Sequence, residues 1–233
     1  MERKAAYANL AKWFEYLNDD CGYENWSQYL IKELKSYFKG MKLPALGLDI
    51  GCGSGYFTRA FERNGFLMTG MDLSTEMLDK ARKLADKEGS RCQFLFGDIT
   101  KFKTLNRFSF VTAINDCINY LPKEKLLSAF KHVHAALCKN GCFLFDISSE
   151  RKFYEKVANT VSADDRDDVT YLSFNSLSGD KVTMDVTLFV KRKDGAFDRF
   201  DERHEQYVYK ESEIITALET AGFEIIKIEG HLG

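Results

Sequence analysis

Between residues 44 and 147 short apolar runs alternate with stretches whose apolar positions recur at helical spacing. That rhythm belongs to stacked βαβ units around a mostly parallel sheet. It places strands over 45–50, 66–72, 92–96, 108–115 and 142–147, with helices between them. Ser74 suits the N-cap of a helix running through Lys87. Pro122 sits where a first-turn proline is tolerated, ahead of a helix ending near Asn140 and Gly141. Leu126, Phe130, Val133 and Leu137 give that helix an apolar stripe. Upstream, residues 7–38 read as two amphipathic helices broken at 18–22, expected beside the mouth of a ligand site on the sheet.

After Ile147 the period changes. Residues 171–174, 182–191 and 200–209 alternate apolar and polar, with turn signals at 178–180 and 194–195, the pattern of an antiparallel meander. The α/β rhythm then resumes with a helix over 212–221, Gly222 as its stop, and a strand over 223–229. The meander therefore reads as an insertion: a core formed by 1–150 and 210–233, and a substrate-binding β-cap over 151–209. No internal repeat or low-complexity segment interrupts this division.

Composition narrows the field without deciding it. With 233 residues, 45% hydrophobic and 29% charged, the chain suits a soluble globular protein, and a net charge of -2 gives no footprint for a nucleic-acid partner. No run approaches the length of a membrane helix, and the N-terminal Met-Glu-Arg-Lys does not open a signal sequence, so the cytoplasm is expected. Six cysteines without a C-x-x-C read as reduced thiols. The oligomeric state is left open.

The chemistry begins at residues 48–55, Leu-Asp-Ile-Gly-Cys-Gly-Ser-Gly, directly after an apolar strand, with Asp72 closing the next one. An ionised carboxylate at a strand end accepts hydrogen bonds from ribose hydroxyls, and a glycine turn lets backbone approach a ligand. A dinucleotide fingerprint would place its third glycine where Tyr56 stands, which argues against an NAD-dependent oxidoreductase. The G-x-G-x-G turn instead resembles motif I of the class I S-adenosylmethionine-dependent methyltransferases, a Rossmann-like α/β fold. Residues 96–99, Phe-Gly-Asp-Ile, stand where that class reads the adenine edge. The resemblance implies S-adenosylmethionine as cofactor, held by Asp49, Gly51, Cys52, Gly53, Gly55, Asp72, Leu73, Met77, Asp98, Ile99 and Asn115. Met77 fits adenine stacking and core packing equally well.

The acceptor belongs at the end of the fourth strand, in residues 114–121. No proline lies in that stretch, and Cys117 is not preceded by one, which argues against methylation of nucleic-acid bases. His132 and His134 cannot share a helix face and no metal-ligand spacing appears, so no metal is expected. The acidic cluster Asp164, Asp165, Asp167 and Asp168 reads most simply as a solvated loop, with recognition of a cationic substrate as the lesser alternative. Tyr7, Trp26, Asn119, Tyr120 and Leu121, then Phe200, Asp201, Glu202, His204, Glu205 and Tyr209, resemble a subgroup of small bacterial methyltransferases with an N-terminal lid and an inserted β-cap, with Phe14-Glu15 where the subgroup carries Tyr-Asp. His204 shares a strand face with Glu202 and Gln206 and is the candidate base, with Tyr120 and Asp116 as further catalytic groups. A structural histidine is the alternative. Tyr7, Trp26, Asn119 and Asp146 are expected against the substrate. The activity so implied is in-line methyl transfer to a small-molecule nucleophile, and the rival is a non-catalytic S-adenosylmethionine-binding partner or regulator. Folds of this class add a seventh strand after the sixth. Because Gly233 follows the 223–229 run so closely, that strand is expected to be missing and the reading frame to continue.

Overall fold

Five parallel strands and four antiparallel ones divide the computed structural model, which describes residues 6–39, 45–105 and 107–232. Residues 1–4, Pro44 and Gly233, used in the sequence argument, lie outside these. In chain order, a 3-10 turn (Leu10–Lys12), α1 (Phe14–Leu17) and α2 (Tyr23–Tyr37) lead into β1 (Leu46–Ile50), α3 (Tyr56–Arg63), β2 (Leu67–Asp72), α4 (Thr75–Glu88) and β3 (Gln93–Phe96). Then come β4 (Phe108–Ala113), a 3-10 turn (Cys117–Tyr120), α5 (Lys123–Ala136), β5 (Leu137–Phe145), α6 (Glu150–Lys152) and a π turn (Phe153–Val157). The remainder is β6 (Val161–Asp165), β7 (Val169–Ser178), β8 (Lys181–Lys191), β9 (Phe197–Tyr207) and α7 (Glu211–Ala221).

The larger sheet has the order β3-β2-β1-β4-β5. β1 is central, with Leu48 opposite Thr69 on β2 and Val111 on β4. Its strands are apolar on both sides because helices cover both faces. On one side Leu30, Ile31 and Leu34 of α2 and Phe57 and Phe61 of α3 meet Phe66, Met68 and Phe110. On the other, Leu126, Phe130 and Val133 of α5 and Ile214 and Leu218 of α7 meet Val111 and Ala113. Ser74 caps α4 by accepting the Met77 amide at 3.2 Å, and Gly222, at φ 97°, ends α7. Residues 153–157 and 161–207 form the cap: β6-β7-β8-β9 pair antiparallel, with Met184 opposite His204 and Val186 opposite Glu202. Among the described residues no helix is long and apolar enough to cross a membrane.

Four sequence expectations change. The first of the two N-terminal helices is reduced to a 3-10 turn and the four residues of α1, because side chains from elsewhere take up its backbone carbonyls: Arg166 takes those of Tyr16 and Leu17. Asn140 and Gly141 do not end α5. The helix stops at Ala136, and these residues lie within β5, Asn140 at φ 61°, where the register against β4 shifts between Phe108 and Phe110. A bulge accommodates a left-handed residue as a turn does. Asp164 and Asp165, read as loop, belong to β6. Residues 223–229 form no strand: Phe223 and Ile225 pack on the core, Ile226 and Ile228 face outward, and Lys227 pairs with Glu33 of α2 at 2.9 Å.

Candidate active site at the carboxyl ends of the parallel strands

The turn after β1 is built from three left-handed glycines. Gly51 has φ 66° and Gly53 φ 54°, and a Cβ on Gly51 would lie 2.3 Å from Cys117 Sγ. Gly55, at φ 79°, opens α3, and a Cβ there would stand 2.7 Å from the Phe94 ring. Asp72 reaches across from β2 and accepts the Gly53 amide at 2.8 Å on one oxygen and the Ser74 amide at 2.8 Å on the other. Burial pushes its carboxyl above the usual range. Each oxygen keeps a lone pair, which suits two ribose hydroxyls. Side-chain-free backbone beside an acceptor-only carboxylate fits S-adenosylmethionine. Met77 is buried, its methyl 3.0 Å from where a Gly53 Cβ would stand, so it underlies the turn. Leu73 is exposed beside Asp72. Asp98 accepts the amide and hydroxyl of Thr100 and so shapes its own loop, while Ile99 is buried in the core beneath it.

Asp49, expected against the cofactor, faces inward instead. Its two oxygens take the hydroxyls of Thr58 at 2.5 Å and Thr112 at 2.8 Å, and burial pushes the carboxyl up to about 6. It ties β1 to α3 and β4 from behind the turn. Cys52 and Cys117 are thiols packed under the same turn, each held protonated by burial.

After β4 the chain passes through two left-handed non-glycine residues, Asn115 at φ 66° and Asp116 at φ 61°. Asp146 holds both, accepting the Asn115 amide at 2.6 Å and the Asp116 amide at 3.0 Å, and its own carboxyl is pushed up to about 6 by burial and the nearby Asp116 charge. Asp146 thus shapes the loop rather than lining the cavity in front of it. Asn119 is likewise committed. Its amide donates to the carbonyls of Tyr207 and Ser148 and accepts the Ser148 amide, which ties the loop to β9 and leaves little for a substrate. Trp26, expected against the substrate, packs on Phe57 and His231 and does not line this cavity.

What does line a cavity of about 360 Å³ is Tyr7, Asn115, Asp116, Tyr120 and His204, from three separate parts of the chain. Asp116 accepts from the Ser148 hydroxyl at 2.6 Å and pairs with Lys152 at 3.3 Å. The Tyr7 and Tyr120 hydroxyls are 3.0 Å apart, and Tyr120 lies 3.1 Å from His204 Nδ1. The cap adds Asp164, Tyr171, Met184 and Gln206. Asp164 belongs to the acidic cluster read chiefly as a solvated loop, Gln206 repeats the polar, inward face of Glu202 and His204, and Tyr171 and Met184 carried no signal. Over this cavity lies the lid, residues 7–19. Glu15 accepts the Ser54 hydroxyl at 2.7 Å and pairs with Arg59, Lys80 reaches the Lys12 carbonyl at 3.0 Å, and Arg166 pairs with Asp19 at 2.8 Å. Glu15 therefore docks the lid onto the glycine turn itself.

Known proteins resemble this chain in sequence and in fold. A family model described as a methyltransferase domain matches residues 48–141, from the middle of β1 into β5. A protein of Geobacillus sp. (strain WCH70), named "Putative methyltransferase", is 30% identical over 225 residues, covering 95% of this chain and 90% of its own. The crystal structure of an S-adenosylmethionine-dependent methyltransferase from Clostridium acetobutylicum ATCC 824 superimposes with a TM-score of 0.81 at 29% identity, covering 90% of this chain and 84% of that one. The sugar N-methyltransferase KedS8 from Streptoalloteichus sp. ATCC 53650 shares the fold, with a TM-score of 0.79 at 16% identity over 95% of this chain and 87% of that one.

Proposed function

The chain belongs to the class I S-adenosylmethionine-dependent methyltransferases, and from that premise we propose that it methylates a small-molecule nucleophile seated between the parallel sheet and the β-cap. S-adenosylmethionine is the cofactor, and when bound it supplies a methyl group already activated on a sulfonium. Gly51, Gly53 and Gly55 would give it backbone contact, Asp72 would take the ribose, and the Asp98–Ile99 loop would meet the base. The observation that carries the acceptor assignment is the 360 Å³ cavity into which Tyr7, Asp116, Tyr120 and His204 converge. Its volume suits a small molecule rather than a polymer, and its walls offer both donors and acceptors.

In this reading residues 151–209 bind substrate, and the work left to the protein is orientation and proton removal. Holding an acceptor in line with the methyl is worth roughly 7–11 kcal/mol in well-oriented systems. Asp116 and Tyr120 would hold the acceptor, and His204 would receive its proton. KedS8 is a sugar N-methyltransferase, and an amine or hydroxyl acceptor suits these walls equally. The test is incubation with S-adenosylmethionine labelled in the methyl group and a metabolite extract. Label is expected in small molecules, and Tyr120→Phe should reduce it while cofactor affinity stays within about threefold. Label confined to RNA or protein would overturn the assignment.

A further inference from the structure

Glu202 is the most deeply buried acid beside the cavity, with no exposed surface, and it faces two ways. One oxygen accepts the backbone amides of Asn9 and Leu10, the latter at 2.9 Å, and so fastens the lid to β9. The other lies 3.4 Å from His204 Nε2, and among the described residues neither of these two atoms has another partner. Resting on the reading above, we propose that Glu202 is a positioning residue: it fixes His204 with its ring proton on Nε2, leaving Nδ1 to receive a proton from the acceptor through Tyr7 and Tyr120, and it pins the lid that carries Tyr7.

Lone pairs decide the tautomer. Were the ring proton on Nδ1, a bare Nε2 and a bare carboxylate oxygen would face each other in a dry interior, two unsatisfied acceptors at considerable cost. With the proton on Nε2 they attract. Nδ1 then accepts the Tyr120 O–H at 3.1 Å, and the Tyr120 oxygen accepts the Tyr7 O–H at 3.0 Å, so every hydrogen bond in the row points from lid to cap. The Tyr7 oxygen is left with lone pairs toward the cavity it lines. When an acceptor N–H or O–H gives up its proton to Tyr7, the Tyr7 proton moves to Tyr120 and the Tyr120 proton to Nδ1. One proton enters the row, and it ends as an imidazolium opposite Glu202, with both tyrosines again neutral.

The surroundings agree. His204 meets Glu202 on its own strand, Tyr120 from the loop after β4, Tyr7 from the lid, and the uncharged Met184 across β8. Asp116 acts on Tyr120, and Tyr171 of β7 lies near Glu202 and Tyr120. Burial would raise the Glu202 carboxyl, but His204 and the two amides outweigh it and hold the group below its usual range, so it is charged. Burial pushes the Tyr120 hydroxyl far up, so it passes a proton on rather than resting as a phenolate.

The proposal also selects the acceptor, which must carry a proton to lose, as a primary or secondary amine or a hydroxyl does. The decisive experiment is nitrogen NMR of histidine-labelled protein near pH 8, with His204→Asn identifying the resonances, together with amide exchange at Leu10 and calorimetry with S-adenosylhomocysteine. In the wild type His204 should be protonated on Nε2. Glu202→Gln keeps an oxygen for the two lid amides, so Leu10 protection should change less than threefold while the tautomer becomes mixed. Glu202→Ala should lose both, with Leu10 exchange at least tenfold faster. A wild-type ring protonated on Nδ1, or a tautomer unmoved in Glu202→Gln, overturns the relay. A wild type that does not bind S-adenosylhomocysteine overturns the methyltransferase reading beneath it, whatever the ring shows.

Discussion

Asp49 and Asp72 end neighbouring strands with the same side chain and opposite duties. Asp72 accepts the Gly53 and Ser74 amides at the glycine turn, whereas Asp49 spends its oxygens on Thr58 and Thr112 inside the fold. The turn and Asp72 were legible because glycine spacing and a strand-end acid are local. The duty of Asp49 was not, because Thr112 is 63 residues away in sequence. Asp146 and Asn119 escaped in the same way, since polar residues beside a site read alike whether they face a ligand or hold a loop. A pH effect follows from Asp49. Its folded carboxyl titrates near 6, above its ordinary value, so between about pH 4 and 6 the folded state binds more protons than the unfolded. Stability therefore falls as pH rises through that window, the reverse of a salt-bridged acid. Asp49→Asn should flatten the fall in thermal melts, leaving the part due to Asp146, whose carboxyl is raised likewise to about 6, and to Asp72, whose carboxyl burial also raises. Parallel melting profiles for wild type and variant would show that Asp49 is not a buried, raised carboxyl.

Among the elements, β1 is tightly constrained, because Gly47 lies where a Cβ would meet the Phe110 ring at 2.3 Å and Met68 Sδ at 2.6 Å. Phe110 is fully buried and cannot swing away. Gly47→Ala should destabilise by about 1–3 kcal/mol in urea unfolding, the usual cost of overpacking. A neutral result would mean the β1–β4 packing is looser than described. The βαβ rhythm over 45–147 and the meander were both readable, since burial on two faces and burial on one leave different periods. Pairing was not readable. Residues 223–229 alternate because Phe223 and Ile225 pack inward, yet the Lys227–Glu33 pair joins the run to α2 and no ladder forms. In β6 the converse holds: Val161 to Asp165 pair fully with β7 although Asp164 and Asp165 read as loop.

At the scale of the molecule, the lid joins the two sheets. Arg166 at the end of β6 binds Asp19 and stacks its guanidinium over Tyr16, 5.0 Å from the ring centroid, while Glu15 holds the glycine turn. Arg166→Ala should raise amide exchange across residues 14–17 about tenfold or more with little change in global melting, because only local opening is affected. Unchanged exchange there would show that the cap does not restrain the lid. The central claim divides the labour: cofactor on the parallel sheet, acceptor chemistry against the cap. Calorimetric titration of S-adenosylhomocysteine into the wild type, Asp72→Ala and Tyr120→Phe tests it most directly. Removing a charged partner of ribose hydroxyls costs about 1.5–3 kcal/mol, so Asp72→Ala should bind roughly ten- to two-hundredfold more weakly, with Tyr120→Phe within about threefold of wild type. Unchanged affinity in Asp72→Ala, or lost affinity in a folded Tyr120→Phe, would contradict the account.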